Sequence, residues 1–227
     1  MAAHRPSTVA AILVAAGSGQ RLGADVPKAF VTVEGRTLLD HAVARFAEHP
    51  AIGTVVVVAP ASHLAQACAD GRTVVAGGAT RQESVSAGLA ALDDTVEHVL
   101  VHDVARPFVP DAVIDAVLAA LHAGAEAVVP VVPVHDTVRR VGPDGTLAGV
   151  VDRATLAAVQ TPQGFRRATL VEAHRRGAGL AATDDAGLVE AIGGRVVAVP
   201  GAEESFKITT RADLARAAAS VPGGISR

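Results

Sequence analysis

The run Val9-Ala10-Ala11-Ile12-Leu13-Val14, followed at once by Ala15-Ala16-Gly17-Ser18-Gly19-Gln20-Arg21-Leu22-Gly23 and then Pro27-Lys28, decides the fold. Apolar residues without polar alternation describe a strand covered on both faces, the habit of parallel sheets wrapped by helices. A glycine-rich turn placed directly after such a strand lies at its carboxyl end, where open α/β sheets bind ligands. Outward from this point, Thr54 to Ala59, Thr73 to Ala76, Val99 to His102, Ala127 to Val132 and Arg195 to Val199 read as further strands. Between them Thr37 to Glu48, Ser62 to Ala69, Arg81 to Leu92 and Asp111 to Ala123 carry apolar residues at helical spacing. The pattern predicts an α/β fold of Rossmann-like type, a mostly parallel sheet flanked by helices, in a single domain over residues 1–227. The loops after Val14, Ala76 and Val101 then share one functional rim.

One segment departs from this rhythm. Thr137 to Val141, the turn Gly142-Pro143-Asp144-Gly145, and Thr146 to Asp152 predict an inserted hairpin at about 134–155. A two-stranded hairpin is marginal alone in water, so it is expected to pack on something, and a second copy of the chain is the simplest partner.

The chain has 227 residues, half of them apolar and 19% charged, with a formal charge of -3. It has the means to bury a core but no basic face for following a phosphate backbone. Five Phe and no Trp or Tyr supply no platform for stacking single-stranded bases, so nucleic acid is not an expected partner. No apolar run approaches the ~20 residues that span a bilayer, so no membrane association is expected. His4 and Arg5 before Val9 to Ala16 imitate a signal peptide, yet the run leads straight into a glycine turn, and a buried first strand is the reading. The single cysteine, Cys68, allows no internal disulfide and no cysteine-based zinc site; it is expected to be a small buried thiol, in keeping with the cytoplasm.

Of the 20 basic residues only Lys28 and Lys207 are lysines. An ammonium and a guanidinium are not equivalent at a close phosphate contact, so two retained lysines draw attention. In the first loop the glycines let backbone N–H groups close on an anion while Arg21 and Lys28 add two cations, which suits a triphosphate. Gly17, Gly19 and Gly23 also resemble a dinucleotide fingerprint, but the second strand ends Val58-Ala59-Pro60 and offers no carboxylate for a ribose. A turn chosen only for packing would leave its two cations unexplained.

The third strand runs into Gly77-Gly78-Ala79-Thr80-Arg81-Gln82-Glu83-Ser84. Two glycines expose backbone groups to a flat ligand such as a base, with Ser84 one helical turn on; Thr80 and Glu83 equally read as a capping box, and the two readings are compatible. The fourth strand ends His102-Asp103-Val104-Ala105-Arg106-Pro107. A carboxylate on the rim that holds a triphosphate suits Mg²⁺, and Asp103 pairing with Arg106 across a turn is the alternative. His102 reads as structural and Thr183 as a helix cap ahead of first-turn acids. For Arg153 and Lys207 a phosphorylated substrate is one way to neutralise the charge and solvation the other.

In order along the chain, Ala-Ala-Gly-x-Gly-x-Arg with Pro-Lys, Gly-Gly-x-x-Arg-x-x-Ser, His-Asp-x-Ala-Arg-Pro, Asp-Thr, Val-Asp-Arg, Thr-Pro-Gln, Thr-Asp-Asp and Lys-Ile-Thr resemble the motifs of the 2-C-methyl-D-erythritol 4-phosphate cytidylyltransferases. The likeness runs from Ala15 to Asp213; the first motif is shared with sugar nucleotidyltransferases, the later ones are more particular. The resemblance implies a nucleotidyltransferase fold and Mg²⁺-dependent transfer of a cytidylyl group from CTP to methylerythritol phosphate, with release of pyrophosphate, in non-mevalonate isoprenoid synthesis. It implies that Arg21 and Lys28 are catalytic and that Ala15, Ala16, Gly17, Ser18 and Gly19 hold phosphates. Gly78, Ala79 and Ser84 would face the nucleotide, Asp103 would sit at the metal with Ala105 beside it, and Arg153, Lys207 and Thr137 would place the sugar phosphate. It further implies a homodimer whose hairpin arms exchange, so that Thr137 and Arg153 serve the neighbouring site. Ala29 and Ala79 depart from residues common in the family, an amide and an acid, but neither removes a proposed charge. At this length no fused cyclase domain is expected. A ribitol 5-phosphate cytidylyltransferase is the nearest alternative within the chemistry; an NAD(P)-dependent oxidoreductase and a non-catalytic nucleotide-binding regulator are alternatives outside it.

Overall fold

The computed structural model describes residues 7–16, 26–68, 72–180 and 182–220. Its centre is an eight-stranded sheet. β1 (Val9–Val14) lies in the middle, parallel to β4 (Thr54–Ala59) on one side and to β6 (His98–Asp103) on the other, with β5 (Thr73–Ala76) parallel to β4 at the edge. β7 (Ala127–Pro133) is joined to β6 through β11 (Gln163–Arg166), which runs antiparallel to both. β12 (Val196–Pro200) pairs parallel to the outer edge of β7, and β10 (Ala157–Val159) pairs antiparallel with its last residues. Between β1 and β4 a small ribbon of β2 (Thr32–Val33) and β3 (Arg36–Thr37) precedes the first helix.

The strands are apolar throughout because both faces are covered, and the side-chain period of two divides them between two cores. Ala11, Leu13, Leu100 and Val128 face α1 (Leu38–Ala47), α4 (Asp111–His122) and α7 (Arg211–Ser220), with Phe46, Ile114 and Leu121 filling the space. Ala10, Ile12, Val58 and Val101 face α3 (Arg81–Ala90), α5 (Arg167–Arg176) and α6 (Asp185–Ala191), where Phe165, Leu170 and Leu188 pack. Full burial of such a side chain contributes roughly 1.5–3 kcal/mol. Local chemistry sets the helix starts. Thr37 accepts from Asp40 N–H at 3.0 Å ahead of α1, and its buried face, Leu38, Leu39, Ala42 and Phe46, follows the helical period.

The expected strands and the first, third and fourth helices are present, and β1 occupies the segment that imitates a signal peptide. Ser62 to Ala69 is not one helix: a 3-10 turn (Ala61–His63) leads into the four-residue α2 (Leu64–Ala67). Cys68, at its end, is exposed rather than buried, because the inward-facing residue of that turn is Ala67. The inserted hairpin is β8 (Val138–Val141) and β9 (Leu147–Val151), with a register shift at Arg139/Arg140 and its large apolar side chains Val141, Leu147 and Val150 turned to solvent. No helix among the described residues is long and apolar enough to cross a membrane.

Candidate active site

Register fixes the rim. Val14 is level with Val58 on one side and with Asp103 on the other, and Ala59 is level with Ala76, so the loops after β1, β4, β5 and β6 leave the sheet side by side. Ala15 N–H donates to Val58 O at 2.8 Å, Gly77 N–H to Ala59 O at 2.8 Å and Val104 N–H to Val14 O at 3.2 Å. The loops after β1 and β5 touch at Gly77, where a Cβ would stand 2.7 Å from that of Ala16 and 2.8 Å from Ser84 Oγ. Only glycine permits that approach.

The turn beyond Gly77 is built by the capping box read from the sequence. Thr80 Oγ1 accepts from Glu83 N–H at 3.1 Å, and Glu83 Oε2 accepts from Thr80 N–H at 3.1 Å and from Ala79 N–H at 2.6 Å. Ser84, 1% exposed, accepts from Gly78 N–H at 3.2 Å and donates to Thr80 O at 2.9 Å, so it braces the turn. With these amides used internally, the carbonyls of Gly77, Gly78 and Ala79 are the acceptors left to a ligand among the described residues.

Asp103 closes β6 with a side chain 13% exposed, and it does not pair with the Arg106 side chain. Its Oδ1 lies 3.3 Å from Arg81 Nε and its Oδ2 accepts from Lys207 Nζ at 2.6 Å. Burial pushes this carboxyl up, but the Arg81 and Lys207 cations outweigh it and hold Asp103 well below the usual carboxylate range. Arg106 instead donates through its guanidinium to Ser205 O at 2.7 Å and Val159 O at 3.2 Å, tying the loop to the C-terminal segment. Lys207, read from the sequence as neutralised by substrate or by solvent, has a carboxylate partner 104 residues away. The same segment is sewn to the rim, since Ile208 N–H donates to Ala105 O at 2.8 Å and Lys28 Nζ to Ile208 O at 2.8 Å. Lys28, Asp103, Ala105 and Lys207 are therefore brought together from three distant stretches of chain.

Beneath Asp103, His102 is fully buried. Its Nε2 donates to Arg106 O at 3.0 Å, which leaves Nδ1 to accept from Thr161 Oγ1 at 3.0 Å, and Thr161 Oγ1 accepts in turn from Asp103 N–H at 3.1 Å. This tautomer is assigned from the partners of the ring. Burial holds His102 down to about 4, so the ring is neutral near pH 7 and structural, as expected. Gln163 follows Thr161 and fixes α6: it donates to Asp184 Oδ2 at 2.7 Å and accepts from Ala186 N–H at 3.2 Å. Asp184, not Thr183, caps α6, accepting from Gly187 N–H at 2.9 Å; Thr183 lies one residue too early.

Gly17, Ser18, Gly19 and Arg21 lie outside the described residues, while Ala15 and Ala16 stand at the rim. Thr137 and Arg153 both flank the open end of the hairpin, where Val138 pairs with Val151; Arg153 donates to His135 O, and no contact joins either to the rim among the described residues. Residues the sequence reading did not single out are Arg81, Thr161, His174 and Asp185. Arg81, Thr161 and Asp185 stand inside quoted motifs; nothing local marks His174. A cavity of about 590 Å³ opens at the amino end of β6, beside Glu97, His98, His122, Arg166 and Arg167. It is at the wrong end of the sheet for the rim chemistry, and Arg167 there is paired with Asp94 at 2.9 Å.

The family model for 2-C-methyl-D-erythritol 4-phosphate cytidylyltransferase matches residues 9–222. A bifunctional enzyme IspD/IspF of Clavibacter michiganensis is 50% identical over 216 residues, 91% of this chain and 52% of that protein, so the chain spans about half the length of this relative. A 2-C-methyl-D-erythritol 4-phosphate cytidylyltransferase of Frankia casuarinae is 48% identical over 214 residues, covering 93% of this chain and 80% of the other. The crystal structure of the Thermus thermophilus protein of that name superposes with a TM-score of 0.77 at 40% identity, covering 92% of this chain and 96% of its own. The chain belongs to the 2-C-methyl-D-erythritol 4-phosphate cytidylyltransferase family.

Proposed function

We propose that this chain transfers a cytidylyl group from CTP to 2-C-methyl-D-erythritol 4-phosphate, forming 4-diphosphocytidyl-2-C-methyl-D-erythritol and pyrophosphate in non-mevalonate isoprenoid synthesis. The observation that carries the reading is the convergence of Lys28, Asp103 and Lys207 beside the Gly77–Thr80 turn at the carboxyl ends of β1, β5 and β6. A phosphate oxygen of the acceptor attacks the α-phosphorus of CTP in line, the new P–O bond forms and the bond to the β-phosphate oxygen breaks. The nucleophile is already an anion, so no general base is needed. What the reaction requires is fixed positive charge where two anions meet, and Arg21 and Lys28 supply it to the triphosphate while Lys207 receives the acceptor phosphate.

Carbonyl acceptors at Gly77, Gly78 and Ala79 suit the exocyclic amine of cytosine and not the carbonyl of uracil. One ionised carboxylate at a rim fits Mg²⁺ arriving on a nucleotide, an ion that takes one or two protein carboxylates and keeps phosphate and water ligands. Asp103 would hold it, and when bound it would offset charge on the phosphates. The exposed Val141, Leu147 and Val150 of the hairpin suit a second copy of the chain, through which Thr137 and Arg153 would reach the neighbouring site, in the cytoplasm. Pyrophosphate release tests the reading: CTP with methylerythritol phosphate and Mg²⁺ should give turnover, and UTP or ribitol 5-phosphate should give much less. Equal or greater turnover with ribitol 5-phosphate would overturn the assignment of the acceptor, and no release with any polyol phosphate would overturn the activity.

A further inference from the structure

We propose that Arg81, held from behind by Asp185 and His174, is the positioning residue that keeps Asp103 in place while Lys207 changes partner. The inference rests on the function proposed above and adds residues to it. Arg81 is the first residue of α3, where the helix dipole disfavours a cation, so its presence there calls for compensation from elsewhere. The compensation comes from two carboxylates. Nη1 donates to Asp185 Oδ2 at 2.6 Å, and Nε points to Asp103 Oδ1 at 3.3 Å. Asp185 is fully buried, and its other oxygen accepts from His174 Nε2 at 2.8 Å, while His174 Nδ1 bonds Ser86 Oγ at 3.0 Å. A continuous chain, Ser86–His174–Asp185–Arg81–Asp103–Lys207, thus runs from the α3–α5–α6 layer to the rim.

The two cations on Asp103 are not alike. The Lys207 side chain is 40% exposed and has one carboxylate partner, so an arriving phosphate can take it. Arg81 is 28% exposed, and its planar fork is shared between two carboxylates, one of which has no exposure to solvent. Leaving Asp185 unpaired in that setting is costly, so Arg81 stays where it is when Lys207 leaves. Without Asp185 or the His174 bond that orients it, the guanidinium is free to swing wholly onto Asp103, displacing the carboxylate and competing with Lys207. A misplacement of about 1 Å in such a constellation costs up to about a hundredfold in rate.

The test uses the full chain and the variants Asp185→Asn, His174→Leu and His174→Gln, with thermal unfolding recorded for each. In ¹⁵N-edited spectra the Arg81 Nε–H of the wild type should be a distinct, slowly exchanging signal, lost in Asp185→Asn and broadened in His174→Leu. In pyrophosphate-release kinetics these two variants should lose at least about tenfold in kcat with a smaller change in KM for CTP, and His174→Gln, whose amide can still donate to Asp185, should recover most of it. An active wild type with unchanged kcat in both variants, or an Arg81 signal unchanged by Asp185→Asn, would overturn the relay. Loss of folding without a kinetic split among the folded fraction would do the same by making the chain merely structural. An inactive wild type would instead overturn the function on which it rests, and the Arg81 signal would then still report on the positioning.

Discussion

Acidification should destabilise this chain through one buried ring. His102 is fully enclosed, with Nε2 bonded to Arg106 O and Nδ1 to Thr161, and burial holds it from the ordinary 6.5 down to about 4. The unfolded state therefore binds the proton first: stability is whole above about pH 6.5, falls as the pH drops through that value, and levels off below about 4. Linkage across that gap gives a loss of about 2 kcal/mol between about pH 7 and about pH 5, approaching about 3 kcal/mol at the acid limit. Urea unfolding of the wild type and of His102→Gln at both pH values isolates the ring, since glutamine reaches both partners but does not titrate. His98, which burial and His122 also hold below its ordinary value, contributes equally to both proteins and cancels. The stability difference between the proteins should shift by about 2 kcal/mol in favour of the variant at the lower pH. Parallel pH profiles would refute the argument that His102 is held neutral by its enclosure.

Lys28→Ala should lower kcat at saturating CTP by about a hundredfold or more, beyond what a stability loss of about 1–3 kcal/mol from its lost bond to Ile208 O would explain; an unchanged rate would remove the ammonium from the mechanism. Gly77→Ala places a methyl 2.7 Å from Ala16 Cβ and should cost about 1–3 kcal/mol, with weakened CTP affinity by calorimetry because the two loops are forced apart. Phe46→Ala empties a fully buried site whose ring centroid is 4.6 Å from that of His102, and should lower stability in urea by about 3–5 kcal/mol.

The parallel half of the sheet was legible because β1, β4, β6 and β7 are continuous apolar runs, a pattern that burial on both faces produces. β11 was not: Gln163-Gly164-Phe165-Arg166 has one large apolar side chain, and its place between β6 and β7 is set by those neighbours rather than by its own propensity. α5 and α6 escaped for a similar reason, since their polar residues outweigh a short buried stripe. At the site, Lys28, Asp103 and Lys207 stood out from residue type and position and Ala105 only through the family resemblance, and the structure assembles them. The Arg81–Asp185–His174 chain was illegible because its members are 104 and 11 residues apart and each reads alone as a solvated helix charge. Lys207 shows the same limit: its partner Asp103 is visible only once the segment carrying Ile208 is bonded to the loop after β6.

In the proposed reaction, fixed positive charge on one rim of the sheet holds the phosphates of a cytidine nucleotide so that an anion can strike the α-phosphorus. A crystal structure with CTP is the decisive check. Lys28 Nζ should lie within hydrogen-bonding distance of the triphosphate, and the cytosine amine should stand against the carbonyls of Gly77 to Ala79. A nucleotide bound elsewhere, or one whose phosphates turn away from Lys28, would contradict this arrangement.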